Sequence, residues 1–599
     1  MRFSFAFCFS ILVTYAISAS AQMGMGPQMN QGPKDEKEMV IKKGDDQNKN
    51  ATELTEKDDY LNKPPSTQLF SLGGYMRLRS DYFYRLDLGL RNNDGGSSPF
   101  PNPLLAYDSD CTSANPPKHC RYHTITSTNM RLRLNPVIRP NTTISIHSSI
   151  DIFDNYVLGS SPYGQTYAYG NSPWSPYNGY TGTQAPVEGG VTSTWDVIRF
   201  KTLYGKVNMK LFDLKFGRVP NHFGLGMVHN AGNGIDDDYG DSVDRVSIES
   251  EIPSLKLAFG ASWDFASQGY TSQLLYPWQT MGQPMDVDDF DDASQWTFFV
   301  TRKHSKSDRK LRLSEGLGVF DIGVHLTIRR QLYSIGNIYS DEYSNVLYTS
   351  NDPTTLADSL KNRKSFMAIP DLWLEYRKGK LLLQLEVAGK YGWITNLSDV
   401  TTENGTGMSK PGDDLTFMSL GGVFRATYQW SSDLTFKFEL GYASGDDQYE
   451  NVAKRGRTHF MFLSPFPANG SDSKNTLFMF HPNYHVGMIF YRELMGAVYN
   501  STYTKFDMQY KVNNFRFTGM ALLPMANEPV ATPGNSVLYG AEMNLDLAYE
   551  SQDKSILFGL SYGFFYPLDA MERTETIYGT YSANANSAHS IQARIVLRF

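Results

Sequence analysis

The stretch Leu69 to Asp87, LFSLGGYMRLRSDYFYRLD, decides the fold class. Phe70, Leu72, Met76, Leu78, Tyr82, Tyr84 and Leu86 fall on one side of a period-two alternation, and Arg77, Arg79, Asp81, Arg85 and Asp87 fall on the other. That period belongs to a strand with two unlike faces. The run is long enough to cross a bilayer, with grease outside and charge inside. A soluble sandwich strand alternates in the same way, so one strand does not discriminate. Recurrence does.

The pattern returns along the whole chain. Met130, Leu132 and Leu134 oppose Arg131 and Arg133; Ile144, Ile146, Ile150 and Ile152 oppose Ser145, His147, Ser149 and Asp151; Ile198 and Phe200 oppose Arg199 and Lys201; Phe212, Leu214 and Phe216 oppose Lys215. Later strands repeat it, among them Phe320 to Ile328, Leu383 to Val387, Leu434 to Leu440 and Tyr539 to Leu547. Arginine at a bilayer midplane costs on the order of 2–4 kcal/mol, so the paired basic residues fix the register once the other face meets lipid.

Connections alternate in length. Arg139 to Asn141, Pro253-Ser254, Lys378 to Lys380, Ser431 to Asp433, Asn513-Asn514 and Gln552 to Lys554 read as tight turns, with long polar loops between them. Lys303 to Gly316 is a longer, basic turn without an evident purpose. The reading is all-β: a transmembrane, antiparallel, up-and-down β-barrel of about 18 strands, with short periplasmic turns and long extracellular loops. The last strand, His589 to Phe599, closes the sheet against the first, and its terminal aromatic residue resembles the signal read by the barrel-insertion machinery of Gram-negative bacteria.

The rest of the composition sets the address. Met1 to Ala21 has Arg2, an apolar run and the ending Ala19-Ser20-Ala21, which predicts a secretory signal over 1–21. Residues 22–68 are Met/Gln/Gly/Pro-rich and then crowded with Lys, Glu, Asp and Asn, as in a disordered periplasmic arm, and the barrel occupies 69–599. Met23, Met25 and Met29 invite a Cu(I) reading, set against plain compositional bias. Cys111 and Cys120 remain as an even pair once Cys8 leaves with the signal, and a disulfide is the favoured reading. A formal net charge of −7 argues against nucleic acid as a partner. Lipid and lipopolysaccharide are the expected surroundings in a Gram-negative outer membrane, and homo-oligomerisation stays open.

One segment breaks the strand series. Arg218 to Asp244, RVPNHFGLGMVHNAGNGIDDDYGDSVD, holds Gly224, Gly226, Gly232, Gly234 and Gly240 and suits a shaped loop. Its carboxylates Asp236, Asp237, Asp238, Asp241 and Asp244 repel one another unless water, a cation or arginines screen them. The expectation is a loop folded into the lumen as a constriction, with Arg218 and His222 in its entry. Facing it would be a pore-lining basic sector of Arg77, Arg79, Arg131, Arg133, Arg199, Lys201 and Lys215. A second acidic run holds Asp286, Asp288, Asp289, Asp291 and Asp292. The competing reading is that these charges only pair and solvate a wet wall. Neither a metal nor a cofactor is expected: the acidic run departs from the EF-hand spacing. His147 with Asp151, His325 with Asp321, and His222 or His229 lack a serine elbow or metal-ligand spacing, so no enzyme is expected.

The segment Phe216 to Gly226, FGRVPNHFGLG, followed by Asp237-Asp238-Tyr239-Gly240-Asp241, resembles a poorly characterised family of bacterial outer-membrane barrels of deltaproteobacterial type. Tyr442-Ala443-Ser444-Gly445-Asp446 and the stretch Tyr539 to Pro567 look more distantly like alginate-export and related porin barrels. The likeness spans most of 69–599 through short motifs. It implies an 18-stranded channel, and the arginine-rich early strands would fit an anionic solute such as an acidic polysaccharide. The acidic loops and mixed later wall depart from a uniformly basic conduit. The expected function is passive diffusion of small polar or anionic solutes; the alternatives are an export conduit for an anionic polysaccharide and an adhesive or structural barrel with a blocked lumen.

Overall fold

The computed structural model describes residues 69–90, 103, 117–157, 197–269, 289–335, 360–395, 414–447, 474–573 and 583–599. The expected signal and N-terminal arm lie outside them. All described residues belong to the compact unit Asn50–Phe599. No described helix is long and apolar enough to cross a membrane.

The strands in chain order are β1 (Phe70–Tyr84), β2 (Thr124–Ile138), β3 (Ile144–Val157), β4 (Ile198–Met209), β5 (Phe212–Pro220), β6 (Ser242–Ile252), β7 (Leu257–Ser267), β8 (Ala293–Arg302) and β9 (Val319–Ile335). Then follow β10 (Leu360–Lys378), β11 (Leu381–Ile394), β12 (Leu415–Gln429), β13 (Leu434–Ala443), the two-residue β14 (Lys474–Asn475), β15 (Ser501–Val512), β16 (Phe515–Ala526), β17 (Gly540–Glu550), β18 (Ile556–Pro567) and β19 (Ala588–Arg598). Leaving out β14, eighteen strands pair antiparallel with their chain neighbours, and β1 pairs with β19 from Tyr75 opposite Arg598 to Tyr84 opposite His589. The ring is a closed 18-stranded barrel. β14 runs parallel to Thr416 and Phe417 of β12, beyond the point where β13 has ended.

Closure follows from the faces of the strands. Phe70, Leu72, Met76 and Tyr82 of β1 are exposed, while Tyr75, Arg77, Arg79 and Asp81 are buried. Phe216, Ile248, Trp263, Phe298, Phe517, Leu545, Leu560 and Leu597 continue the exposed apolar band around the wall. Charge inside and grease outside inverts the soluble pattern and suits a wall bathed in lipid. In hydrocarbon each backbone polar group needs a partner in the protein, and a closed ladder supplies one for every strand. At the seam the Phe599 amide donates to the Gly74 carbonyl at 3.1 Å, and the Gly74 amide to the Phe599 carbonyl at 2.9 Å.

Two local features differ from the sequence reading. β1 stops at Tyr84, because Arg85 and Leu88 turn the chain with φ of 57° and 52°. Leu86 therefore packs with Leu88 and Leu90 into a buried apolar cluster inside the barrel, where period two had put it on the lipid face. The basic turn Lys303 to Gly316 contains a helix, α1 (Lys306–Ser314), capped by Ser305, whose hydroxyl accepts from the Asp308 amide at 3.2 Å. Arg309 on this helix reaches Asp321 of β9 at 2.6 Å, so the turn packs against the charged inner wall.

Candidate functional site

Residues 221–241 join β5 to β6 and fold into the lumen. The excursion is held to itself by the Asn221 amide on the Asp241 carbonyl (3.0 Å) and the Asp241 amide on the Asn230 carbonyl (2.7 Å). The Asp237 carboxylate accepts from the Gly234 amide at 2.5 Å and shapes the tip. From there the loop reaches strands far from its own hairpin.

Its charged contacts lie on β1, β2, β4 and β19 and on the inward segment after β13. Asp238 accepts from Arg79 at 3.0 Å and from Arg492 at 3.0 Å, with Arg77 at 3.7 Å and Arg131 at 3.8 Å. Arg594 holds Asp236 at 2.6 Å. Wall guanidinium groups also donate to loop carbonyls: Arg77 to Ile235 (2.7 Å), Arg131 to Asp237 (2.7 Å) and Arg133 to Gly232 (2.9 Å). Lys201 also donates to the Gly232 carbonyl, its freedom coming from a bulge that leaves it without a register partner on β3. Arg131 and Arg133 are further paired on the wall with Asp154 (2.5 Å) and Asp151 (2.6 Å). Burial by itself would raise the Asp238 carboxyl, but Arg79, Arg492 and Arg77 outweigh it and hold it well below the usual carboxylate range.

A second inward segment, residues 474–500, arrives from the connection after β13. It brings Phe478, Phe480, Tyr484, Ile489, Phe490, Tyr491 and Leu494 into one buried cluster with Met227 of the first loop and Ala388, Val423 and Phe565 of the wall. Phe490 lies 5.0 Å from the Tyr539 ring and stacks on Phe565 at 5.1 Å. The two segments touch: the His481 amide donates to the Met227 carbonyl at 2.7 Å, and the Tyr239 amide to Asn483 at 3.1 Å.

Each segment is pinned by one wall glutamate of 0 % exposure. Glu386 on β11 accepts from the Leu225 amide and from the Met227 amide at 3.1 Å. Glu542 on β17 accepts from the amides of Met488 (2.6 Å), Ile489 (3.1 Å) and Phe490 (2.8 Å). In both cases a glycine stands just before the captured amides. A Cβ on Gly224 would collide with the Glu386 carboxylate, and one on Gly487 would come within 2.6 Å of Glu542. Nearby, burial drives His485 down to about 4, helped by Arg492, and keeps His229 well below its usual value. Burial also lifts Glu493 to about 7, against the pull of Arg492.

Of the sequence candidates, Arg77, Arg79, Arg131, Arg133 and Lys201 gather around this loop with Asp236, Asp237 and Asp238. Arg77 is 0 % and Arg131 1 % exposed, so they stand beneath the loop and do not face open water. Lys215 pairs with Glu249 at 2.7 Å elsewhere on the inner wall, and Arg199 is exposed toward the outer end of β4. His222 accepts from the Ala231 amide at 3.4 Å within the loop, and Asp241 lies 3.3 Å from His481.

Arg218 and Asp244 need correction. They face each other across β5 and β6, pair at 2.8 Å and share the outward parity of Phe216, Val246 and Ile248, with side chains 50 % and 48 % exposed. They stand outside the inward loop because each strand extends three residues further into the segment than the loop reading allowed, β5 to Pro220 and β6 from Ser242.

The histidine pairs also separate. Asp151 serves Arg133 while His147 stacks on Tyr204, and Asp321 serves His304 and Arg309 while His325 lies opposite Asp371. No group of three or more metal-ligating side chains is present among the described residues. Cys120 is disulfide-bonded, and Cys111 lies outside the described residues, as do Asp286 and Asp288. Asp291 is buried and Asp292 accepts from Gln268 at 3.0 Å, near the outer ends of β7 and β8.

Glu386, Glu542, Arg492 and Arg594 were missed from sequence. The aromatic density of Tyr484 to Tyr499, YHVGMIFYRELMGAVY, sets that part apart from a solvated loop and was the available signal.

No family model and no curated protein matches the chain. Solved structures similar to it include OccAB2 of Acinetobacter baumannii, at 10 % identity and a TM-score of 0.39, covering 88 % of this chain and 98 % of that one. A BenF-like porin from Pseudomonas fluorescens aligns at 10 % identity and a TM-score of 0.40, over 88 % and 98 % of the two chains. A loop-deleted OmpT, an outer-membrane protein of Vibrio cholerae, aligns at 7 % identity and a TM-score of 0.32, over 89 % and 100 %.

Proposed function

We propose that the chain is a channel of the Gram-negative outer membrane through which small polar and anionic solutes diffuse, with residues 221–241 as its constriction. One observation carries this reading: the loop leaves β5, crosses to β1, β2, β11 and β19, and is held there by side chains of the inner wall. A loop fixed across a charged lumen selects by size and charge. Lipid and lipopolysaccharide cover the outward apolar band, and β19 with Phe599 serves as the insertion signal.

A second reading has its own support. The apolar cluster around Phe490 lies inside the barrel, and a lumen closed by it would belong to a structural or adhesive protein whose outer loops bind a partner. Export of a polymer fits less well, because both pinned segments would have to swing aside together.

Planar-bilayer recording of the purified, folded barrel tests the choice. A steady current whose ion selectivity changes in Arg131→Ala supports the channel. Electrical silence in a barrel that passes a folding check supports the closed reading.

A further inference from the structure

Asp238 is a single carboxylate among four guanidinium groups drawn from three parts of the chain: Arg77 and Arg79 on β1, Arg131 on β2 and Arg492 on the second inward segment. Some of these have carboxylates of their own. Arg131 has Asp154 at 2.5 Å, Arg79 has Asp81 at 3.2 Å and Arg492 has Glu493 at 3.6 Å. Arg77 is different. Among the described residues its one carboxylate within 4 Å is Asp238; its other partners are the Ile235 carbonyl and the amide oxygens of Asn129 and Asn155, and its Nε is buried without a hydrogen-bond partner.

The guanidinium groups belong mainly to the wall, whereas the carboxylate they surround arrives on a loop. Planar forks converging on one point recognise a carboxylate by its two oxygens and do not depend on what carries it. Without an anion at that point, Arg77 would be buried with no carboxylate beside it and with three other guanidinium groups close by, at a high desolvation cost. The site therefore requires a carboxylate or its equivalent, and Asp238 is the chain's own supply.

We propose that the cluster of Arg77, Arg79, Arg131 and Arg492 is a binding site for carboxylate-bearing solutes, and that Asp238 is an internal stand-in which a solute carboxylate displaces. The proposal rests on the channel reading for its purpose, since exchange at the cluster would let the loop yield to anionic solutes and stay shut to neutral ones. The site itself does not depend on conduction.

The test uses the full-length barrel in detergent, with citrate as the probe. Asp238→Asn keeps the shape of the side chain and removes its charge. In calorimetric titration it should bind citrate at least tenfold more tightly than the wild type, and adding Arg79→Gln to it should cancel the gain. Equal affinity in the two folded proteins, or a gain that survives Arg79→Gln, overturns the proposal. If the variant does not fold, the wild type decides through hydrogen exchange. Exchange over residues 230–241 should rise on adding citrate and not on adding sodium chloride of equal ionic strength; exchange unchanged at saturating citrate overturns the proposal. Bilayer recording of the same samples separates the two claims: absent current removes the channel reading, and the titration still rules on the site.

Discussion

The two inward segments occupy one lumen and are pinned by the same device, yet they are held by different physics. Residues 474–500 bury a continuous aromatic surface, and Phe478, Phe480, Ile489 and Phe490 have almost no exposure. Apolar burial depends on no ion pair and is not weakened by charge screening. Residues 221–241 carry few apolar anchors besides Met227 and are fixed by guanidinium groups on Asp236, Asp238 and backbone carbonyls. Such contacts weaken with salt and with protonation. The barrel interior thus has one segment held mainly by apolar burial and one held mainly by charge, and the charged one is the more responsive to salt.

Removing the shared glutamate anchors separates the two segments most strongly. Glu542→Ala strands three amide donors, each in a charge-assisted bond worth about 1.5–3 kcal/mol, so a loss of roughly 5 kcal/mol is expected for the second segment. Thermal unfolding and hydrogen exchange over 486–494 read it. Glu386→Ala should cost less, because the arginines still hold the loop tip. Equal losses would mean that the two segments are not held differently at all.

Next in size is Arg131→Ala. It leaves Asp154 buried without its guanidinium and takes a donor from the Asp237 carbonyl, which at the scale of a broken buried pair is about 3–5 kcal/mol. Exchange should rise over 230–241 and remain low over 486–494. A rise of equal size in both segments would argue that they form one cooperative plug.

pH acts on both segments, through groups of opposite sign. Asp238 is depressed, so its contribution is complete above the unfolded carboxylate value near 3.9 and is lost as pH falls below it. His485 is depressed to about 4, so the folded state prefers it neutral, and stability drains as pH falls from about 6.5 toward 4. Glu493, raised to about 7, acts the other way: the folded state keeps its proton, so acidification from about 7 to about 4.3 favours the fold there. Acid should therefore loosen 221–241 and its contact with 481–485, with a further step below about pH 4. His485→Gln should erase the upper part of that response and leave the lower one. A pH profile unchanged by His485→Gln would remove this residue from the account.

These contrasts explain what the sequence could and could not convey. Period two in Leu69 to Asp87 and its repeats is a local signal, and the 18-strand wall follows it, because lipid on one side and charge on the other admit one register. The inward loop was legible from glycine and aspartate crowding. Its partners were not: Arg492 and Arg594 are separated from it by more than two hundred residues, and no local period encodes which wall residue a loop meets. Glu386 and Glu542 look like any inward residue of an alternating strand, and only the captured amides distinguish them. Leu86 misled because the alternation continued in sequence after the backbone had already turned.

An ion pair on the outward side of the wall behaves differently from those of the lumen. Arg218 and Asp244 form a bidentate pair as close as those of the interior, at 2.8 Å for both bonds. The difference is their half-exposed setting on the outward side of β5 and β6, where an exposed pair contributes about 0–1 kcal/mol. A double-mutant cycle of Arg218→Ala and Asp244→Ala should give a coupling in that range, shrinking as salt rises, with channel current and selectivity left unchanged. The interior arginines, with similar geometry and almost no exposure, should move both. A selectivity change in Arg218→Ala as large as that in Arg131→Ala would mean that outward parity does not keep this pair out of the conduction path, and the lumen would have to be redrawn to include it.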